Sequence, residues 1–175
     1  TPRSVAVIGA SADPAKIGYV VLRNLLSFSG AVYPVNPRHT EILGKKVYRT
    51  VGEIPGNVDA AVVAVPAPAV PGVIRECGEK KIPLAIILSS GFREDDEEGA
   101  KREEEVLSIA RSAGMRIIGP NCLGIIIPPL ELNATFDVQS PLSGQIGFIS
   151  QSGAIITTVL DWSISRRIGF SSVIS

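Results

Sequence analysis

The 175-residue chain carries one histidine, His39, one methionine, one tryptophan and two cysteines, Cys77 and Cys122. A single imidazole excludes any centre assembled from several histidines. Two thiols with no metal ligand at zinc spacing make neither a disulfide framework nor a metal site. Such sparing use of cysteine fits a reducing, intracellular setting, and a cytoplasmic location is expected. Excess charge of either sign is also missing, because seventeen basic groups balance seventeen acidic ones. A basic surface for nucleic acid is therefore not expected, although a local cation beside a phosphate is allowed. No signal peptide is recognisable, and no apolar run approaches the roughly 20 residues that a membrane helix needs. Neither nucleic acid nor a membrane is an expected partner.

What is present is a well-supplied core: 45% of the residues are hydrophobic and 19% charged. The length suits one full domain and part of another. Short apolar runs alternate with amphipathic stretches. Ser4–Ile8 leads into a helix ending near Ser27, and Ala31–Val35 follows. Asp59–Val65 precedes a helix over about 70–80, Leu84–Leu88 a charged helix over about 95–113, and Met115–Ile118 closes the series. Strands such as "AAVVAV" and "LAIIL" are apolar throughout, the pattern of a parallel sheet covered on both faces. The expected fold class is α/β, a Rossmann-like doubly wound parallel sheet with right-handed crossovers. The charged helix has acids in its first turn and Arg111 near its end, as the helix dipole favours. Glu98 and Arg102 can pair there, and Val106, Ala110 and Ala113 mark its buried stripe.

After "GPNCLG" (119–124), "IIIPPLELNATF" is read as carrying the chain away through a double proline. A second unit, strand–loop–helix–strand, begins near Gly144 and stops within a strand. The expected division is residues 1–128 as a ligand-binding domain and 129–175 as a linker with the truncated start of a second α/β domain of flavodoxin type. A complete second domain would need roughly 100 residues more.

Ligands of such sheets lie beyond the carboxyl ends of the strands, so each exit loop is a candidate site. The first, "GASADPAKIGY", has Gly9 for a tight turn, the Ser11 hydroxyl, and amides ahead of a helix start that suit a phosphate, with Lys16 adding charge. The G-x-G-x-x-G spacing of a dinucleotide site is absent, since position 11 is Ser and position 14 is Pro. The second strand ends in "VNPRH", with Asn36, Arg38 and His39 where a nicotinamide dinucleotide domain usually has an acid for the ribose hydroxyls. A cation in that place suits a phosphorylated ribose, as in NADP or coenzyme A (CoA). The third loop, "AVPAPAV", forms a stiff apolar rim. In the fourth, Leu88, Ser89, Ser90 and Gly91 let a ligand approach closely. The fifth offers the Asn121 amide and the Cys122 thiol; a buried Cys is as readily a small hydrophobe, and Cys77 reads as core. For the first three loops the alternative is an ordinary turn or connection, with Ser11 or Asp13 merely capping a helix in the first. No acid–base pair, nucleophile–histidine pair or metal cluster stands in any exit, which points to a domain that holds a ligand for chemistry done elsewhere.

"VIGAS", "YPVNP", "AVPAP", "GPNCLG" and "GFISQSGA", in this order and across essentially the whole chain, resemble the N-terminal part of nucleoside-diphosphate-forming acyl-CoA synthetases. The ADP-forming acetyl-CoA synthetases are nearest and the succinyl-CoA synthetase α subunit is more distant. The resemblance implies a first domain that binds CoA. Ser11, Ala12, Asp13 and Pro14 match the segment that holds its phosphates. Arg38 or His39 lies where the family puts a cation near the nucleotide. Leu88, Ser89 and Ser90 match a second contacting segment, although the distant relative has an acid at the place of Ser90. Asn121 and Cys122 fall near the thiol end. Ser152, Gly153 and Ala154 of "SQSGA" match a helix start that receives the phosphate of a phosphohistidine, and a helix N-terminus is suited to that task.

The function so implied is the CoA-binding portion of an acid–CoA ligase interconverting acyl-CoA, ADP and phosphate with free acid, CoA and ATP, through an acyl phosphate and a phosphohistidine. No catalytic residue is expected within these residues, and the piece alone is expected to be inactive. ADP or ATP with Mg2+ is expected elsewhere, on an ATP-grasp domain or β subunit, in an oligomer. Two rival readings share the fold: a CoA- or acyl-CoA-sensing domain of an acetyltransferase fusion, and an NADP-binding Rossmann domain.

Overall fold

β-Branched and small apolar residues build the centre of the molecule: β1 (Ser4–Ile8), β2 (Ala31–Val35), β5 (Ala60–Val63), β6 (Leu84–Ile87) and β7 (Arg116–Ile118) form one parallel sheet in the order β2-β1-β5-β6-β7. The computed structural model describes residues 2–137 and 139–175. Between β2 and β5 lies a two-strand hairpin, β3 (Glu41–Ile42) with β4 (Lys45–Lys46). The helices of this half are α1 (Ile17–Asn24), α2 (Val70–Glu79) and α3 (Glu97–Ser112). The strand order reverses at β1, so the crevice between β1 and β5 is the switch point at which ligands of such sheets bind. The expected doubly wound α/β architecture is present.

The two faces of the sheet are covered differently. Ala6, Ile8, Ala61, Val63, Ala85 and Ile87 meet Val70, Ile74 and Cys77 of α2 and Val106 and Ala110 of α3. On the opposite face Val5, Val7, Val62 and Ile86 meet Val21, Leu22 and Leu25, together with Ile125, Leu132 and Ala134. The last three come from the segment that reads in sequence as a departing linker. It is instead an antiparallel hairpin, β8 (Gly124–Ile127) and β9 (Leu132–Thr135), turning through the double proline. Its alternate apolar residues take the place that a second helix would fill on this face, and burial of that surface is what holds it there. Ala113 also departs from expectation: α3 ends at Ser112, and Ala113 is exposed just past its last turn.

A second sheet, in the order β10-β11-β8-β9, adds β10 (Leu142–Ile149) and β11 (Gly169–Ile174), joined by α4 (Gly153–Arg166). β10 and β11 are parallel, and β11 pairs antiparallel with β8. The hairpin thus serves both sheets, and residue 128 falls in its turn. Leu123, Ile126, Ile156, Leu160, Phe170 and Val173 form the core of this part. No helix among the described residues is long and apolar enough to cross a membrane.

Candidate functional site: the carboxyl rim of the first sheet

The exits of the five parallel strands are stitched to one another by backbone. Gly9 donates to Val35 O (3.0 Å), Ala64 to Ile8 O (2.8 Å), Leu88 to Val63 O (3.0 Å) and Asn121 to Ser89 O (3.0 Å). Gly9 has φ +88°, and a Cβ there would stand 2.6 Å from Ala64 O, so only glycine lets the first and third exits approach this closely. The helix behind the loop is equally tight. A Cβ on Gly18 would overlap Gly9 O. Gly18 therefore does the close helix–strand packing that the last glycine of a dinucleotide fingerprint does, at a longer spacing that hides it from a motif reading.

Loop 1 is internally bonded. The Ser11 hydroxyl accepts from Asp13 N (3.0 Å), Asp13 Oδ1 accepts from Ala15 N (3.0 Å), and Lys16 N donates to Asp13 O (3.0 Å). Neither side chain caps α1, whose N-cap residue is Lys16 with no side-chain bond. Several amides ahead of the helix are thus already engaged, and those of Ala12 and Ile17 have no acceptor in the chain among the described residues. Ala12, Asp13, Pro14 and Lys16 are exposed, and Ser11 is half-buried.

At the second exit Asn36 Nδ2 donates to Ala10 O (2.7 Å) while Asn36 Oδ1 accepts from Arg38 N (2.8 Å). Both ends of this amide are held by backbone. Arg38 is exposed, with no ion pair among the described residues, and His39 is half-buried beside it. The third exit forms a turn of 3-10 helix over Ala67–Ala69, with Ala67 buried.

The fourth exit is clamped from below. Ser89 Oγ donates to Val65 O (2.6 Å), Ser89 is half-buried and Ser90 is exposed. Glu94 Oε1 accepts from Gly91 N (2.8 Å) and Phe92 N (3.3 Å), and Arg102 donates to Gly91 O. Burial pushes the Glu94 carboxyl up, but amide hydrogen bonds from its own backbone, Gly91 and Phe92 outweigh that and hold it below the usual range. The Arg102–Glu98 pair expected from sequence is present at 3.5 Å, yet Glu98 is largely exposed and the contact with Gly91 O is the one that shapes the site. Glu94 and Arg102 escape a sequence reading because they sit in a charged run whose solvated members look the same.

At the fifth exit Asn121 is exposed with φ +51°, whereas Cys122 is turned inward. The residue is 8% exposed, its thiol lies 3.4 Å from Ile87 O, and burial pushes that thiol up to about 11. Leu88 is buried, with its N–H bonded to Val63 O.

Ser152, Gly153 and Ala154 belong to the other sheet. Ser152 caps α4 through Ile155 N (3.3 Å), and Ser150 Oγ accepts from Ser152 N (3.1 Å). This helix start is not remote from the rim. A Cβ on Gly153 would be 3.7 Å from Leu123 Cβ, and Ser175 Oγ accepts from Leu123 N (3.0 Å). Leu123 directly follows Cys122, so the second helix N-terminus adjoins the fifth exit.

An α/β sheet with a glycine turn, a cation in place of the ribose acid and small residues at its rim can accommodate a phosphorylated nucleotide-type ligand. Residues 3–128 match the family described as a CoA binding domain, and residues 143–175 match the succinyl-CoA ligase like flavodoxin domain. The chain belongs to the CoA-binding domain family. It is 48% identical over 174 residues to an acetate–CoA ligase [ADP-forming] I of Archaeoglobus fulgidus, covering 99% of this chain and 25% of that protein. It is 49% identical over 180 residues to the α subunit of acetate–CoA ligase [ADP-forming] I of Pyrococcus furiosus, covering 99% and 39%. The dinucleotide forming acetyl-coenzyme A synthetase 1 of Ca. Korarchaeum cryptofilum, solved with phosphate and ADP, superposes with a TM-score of 0.95 at 45% identity, covering 100% and 38%. The chain thus spans about a quarter to two fifths of the length of these relatives.

Proposed function

We propose that the carboxyl rim of the first sheet binds CoA for an ADP-forming acid–CoA ligase. The pyrophosphate lies along loop 1, at Gly9, Ser11, Ala12, Asp13, Pro14 and Lys16, where amides and one lysine oppose its charge. Arg38 meets the phosphate on the ribose, and the pantetheine arm runs past Leu88, Ser89 and Ser90 toward Asn121. Cys122 acts there as packing. The observation that carries this reading is the meeting, at one switch point, of an anion-ready loop and an exposed arginine where a carboxylate would repel a phosphorylated ribose.

The N-terminus of α4, at Ser152, Gly153 and Ala154, then docks a phosphoryl group close to the thiol end. Its adjacency to Leu123 supports that placement, since the phosphoryl carrier and the thiol must share an acyl intermediate. The chain is inactive alone in this reading. An ATP-grasp domain or β subunit supplies ADP or ATP with Mg2+, the whole protein acts as an oligomer in the cytoplasm, and residues 1–128 and 129–175 are its first domain and the beginning of its second. The relatives favour neither an acetyltransferase fusion nor an NADP enzyme.

Calorimetric titration with CoA, dephospho-CoA and NADPH tests this. CoA is expected to bind more tightly than dephospho-CoA by about 1.5–3 kcal/mol, the scale of a hydrogen bond to a charged group, and Arg38→Ala is expected to remove the difference. Equal affinities, or NADPH binding that excludes CoA, would refute it.

A further inference from the structure

Asn36 stands at the position where a ribose acid is usual, and an ordinary expectation is that it touches the ligand. Its hydrogen bonds say otherwise. Nδ2 is directed at Ala10 O (2.7 Å), Oδ1 at Arg38 N (2.8 Å), and its backbone N–H at Tyr48 O (2.9 Å). One residue earlier, Val35 O accepts from Gly9 N (3.0 Å). Two consecutive residues at the end of β2 therefore grip two consecutive residues at the end of β1. The second grip is made by a side chain, which also closes the turn carrying Arg38.

Chemistry explains the amide. The group facing Ala10 O must donate, and the group facing Arg38 N must accept. An ionised carboxylate does only the second and would repel the carbonyl. A serine can accept from the N–H two residues on but is too short to span to Ala10. Among small side chains that form such turns, asparagine does both.

We propose that Asn36 is a positioning residue: it sets the register between the loop-1 amides and the Arg38 guanidinium, so that one ligand can engage both. This rests on the CoA reading above. A register device has a particular signature. Without it each half-site survives, but a ligand spanning both loses the advantage of its second anion. A contact residue, or one whose loss collapses the rim, would weaken CoA and dephospho-CoA alike.

The test uses the full-length protein and titrates CoA and dephospho-CoA against wild type, Asn36→Ala, Asn36→Ser, Arg38→Ala and the Asn36→Ala/Arg38→Ala double variant, with thermal unfolding of each. In Asn36→Ala the preference for CoA over dephospho-CoA is expected to drop by about tenfold, while dephospho-CoA affinity changes by less than about threefold, on the scale of one lost hydrogen-bond contribution. Asn36→Ser should behave as Asn36→Ala. In the Arg38→Ala background, removing Asn36 should alter the preference by less than about twofold, because the two residues act as one unit. A uniform loss for both ligands, an unchanged preference, or a serine that restores it would each overturn the proposal while leaving CoA binding standing. A wild type that prefers neither ligand would overturn both readings.

Discussion

Gly18 packs directly on the carbonyl oxygen of Gly9: a side chain at Gly18 would occupy the space that this oxygen already fills. The chain leaves β1, makes the loop, and returns to rest the first turn of α1 on the point of departure. Loop 1 is thereby closed at its base.

Gly18→Ala should therefore cost stability as an overpacked contact does, by about 1–3 kcal/mol. Urea unfolding reads this as a lower midpoint at unchanged slope. A wild-type midpoint would mean that α1 can move off the loop.

The start of α4 allows stability and anion binding to be separated. Ser152→Ala removes the acceptor for Ile155 N and should lower stability by about 1 kcal/mol. Ser152→Asp keeps a cap and satisfies the dipole, yet places a negative charge at the proposed phosphoryl dock. Its unfolding midpoint should match wild type while phosphoryl transfer by the full enzyme fails. Normal transfer by the aspartate variant would remove α4 from that role.

Both thiols are buried and held in the protonated form, Cys77 at about 12 and Cys122 at about 11. Since the thiolate is the reactive species, neither should react with a thiol reagent at pH 8 in the folded protein, and both should react in urea. Cys122→Ala should leave CoA affinity within about twofold, as expected of a side chain that packs rather than reacts. Rapid labelling of Cys122 that CoA blocks would place its thiol in the site instead.

Asp59 ties β5 to the start of β1: its Oδ2 accepts from Arg3 N (2.7 Å), Ser4 N (3.0 Å) and Ser4 Oγ (3.1 Å). The bond from Arg3 N, with those from Ser4, lowers its pKa against the opposing effect of burial. A depressed carboxylate contributes stability above its unfolded value, about pH 4, and that contribution disappears as the pH falls through the lower folded value. Asp59→Asn should thus be less stable than wild type at pH 7 and show a shallower loss of melting temperature between pH 5 and 3. Parallel melting curves across that window would show that Asp59 does not titrate with folding.

Asn24 gives the last prediction. Its Nδ2 donates to Thr135 O (3.0 Å) and Asp137 O (2.6 Å), joining the end of α1 to the last residue of β9 and to the chain just beyond it. Asn24→Ala leaves two carbonyls without this donor and should cost about 1–3 kcal/mol by urea unfolding. A negligible change would mean that solvent replaces the donor at both carbonyls.

The parallel sheet and its helices were legible because burial on both faces imposes unbroken apolar strands, and the strand–helix alternation of residues 4–118 carries that constraint in plain view. The exit loops were legible as places, since strand ends lead to them whatever the details. Roles were harder to read. Cys122 and Asn121 are neighbours in sequence, yet one faces the core and the other the solvent, a difference set by the turn geometry at Gly119 and Asn121. Glu94 and Arg102 were indistinguishable from the surface charges around them.

The sequence by itself determined the fold class, the absence of an acid at the end of β2 and the presence of a second helix start at Ser152, because each depends on residues close together along the chain. Only the tertiary structure decided that "IIIPPLELNATF" folds back as a hairpin on α1, that Asn36 faces two backbone groups, and that Gly153 adjoins Leu123. Those outcomes depend on which surfaces compete for the same buried space and which donors meet which acceptors across many residues of separation, and no local pattern encodes such competition.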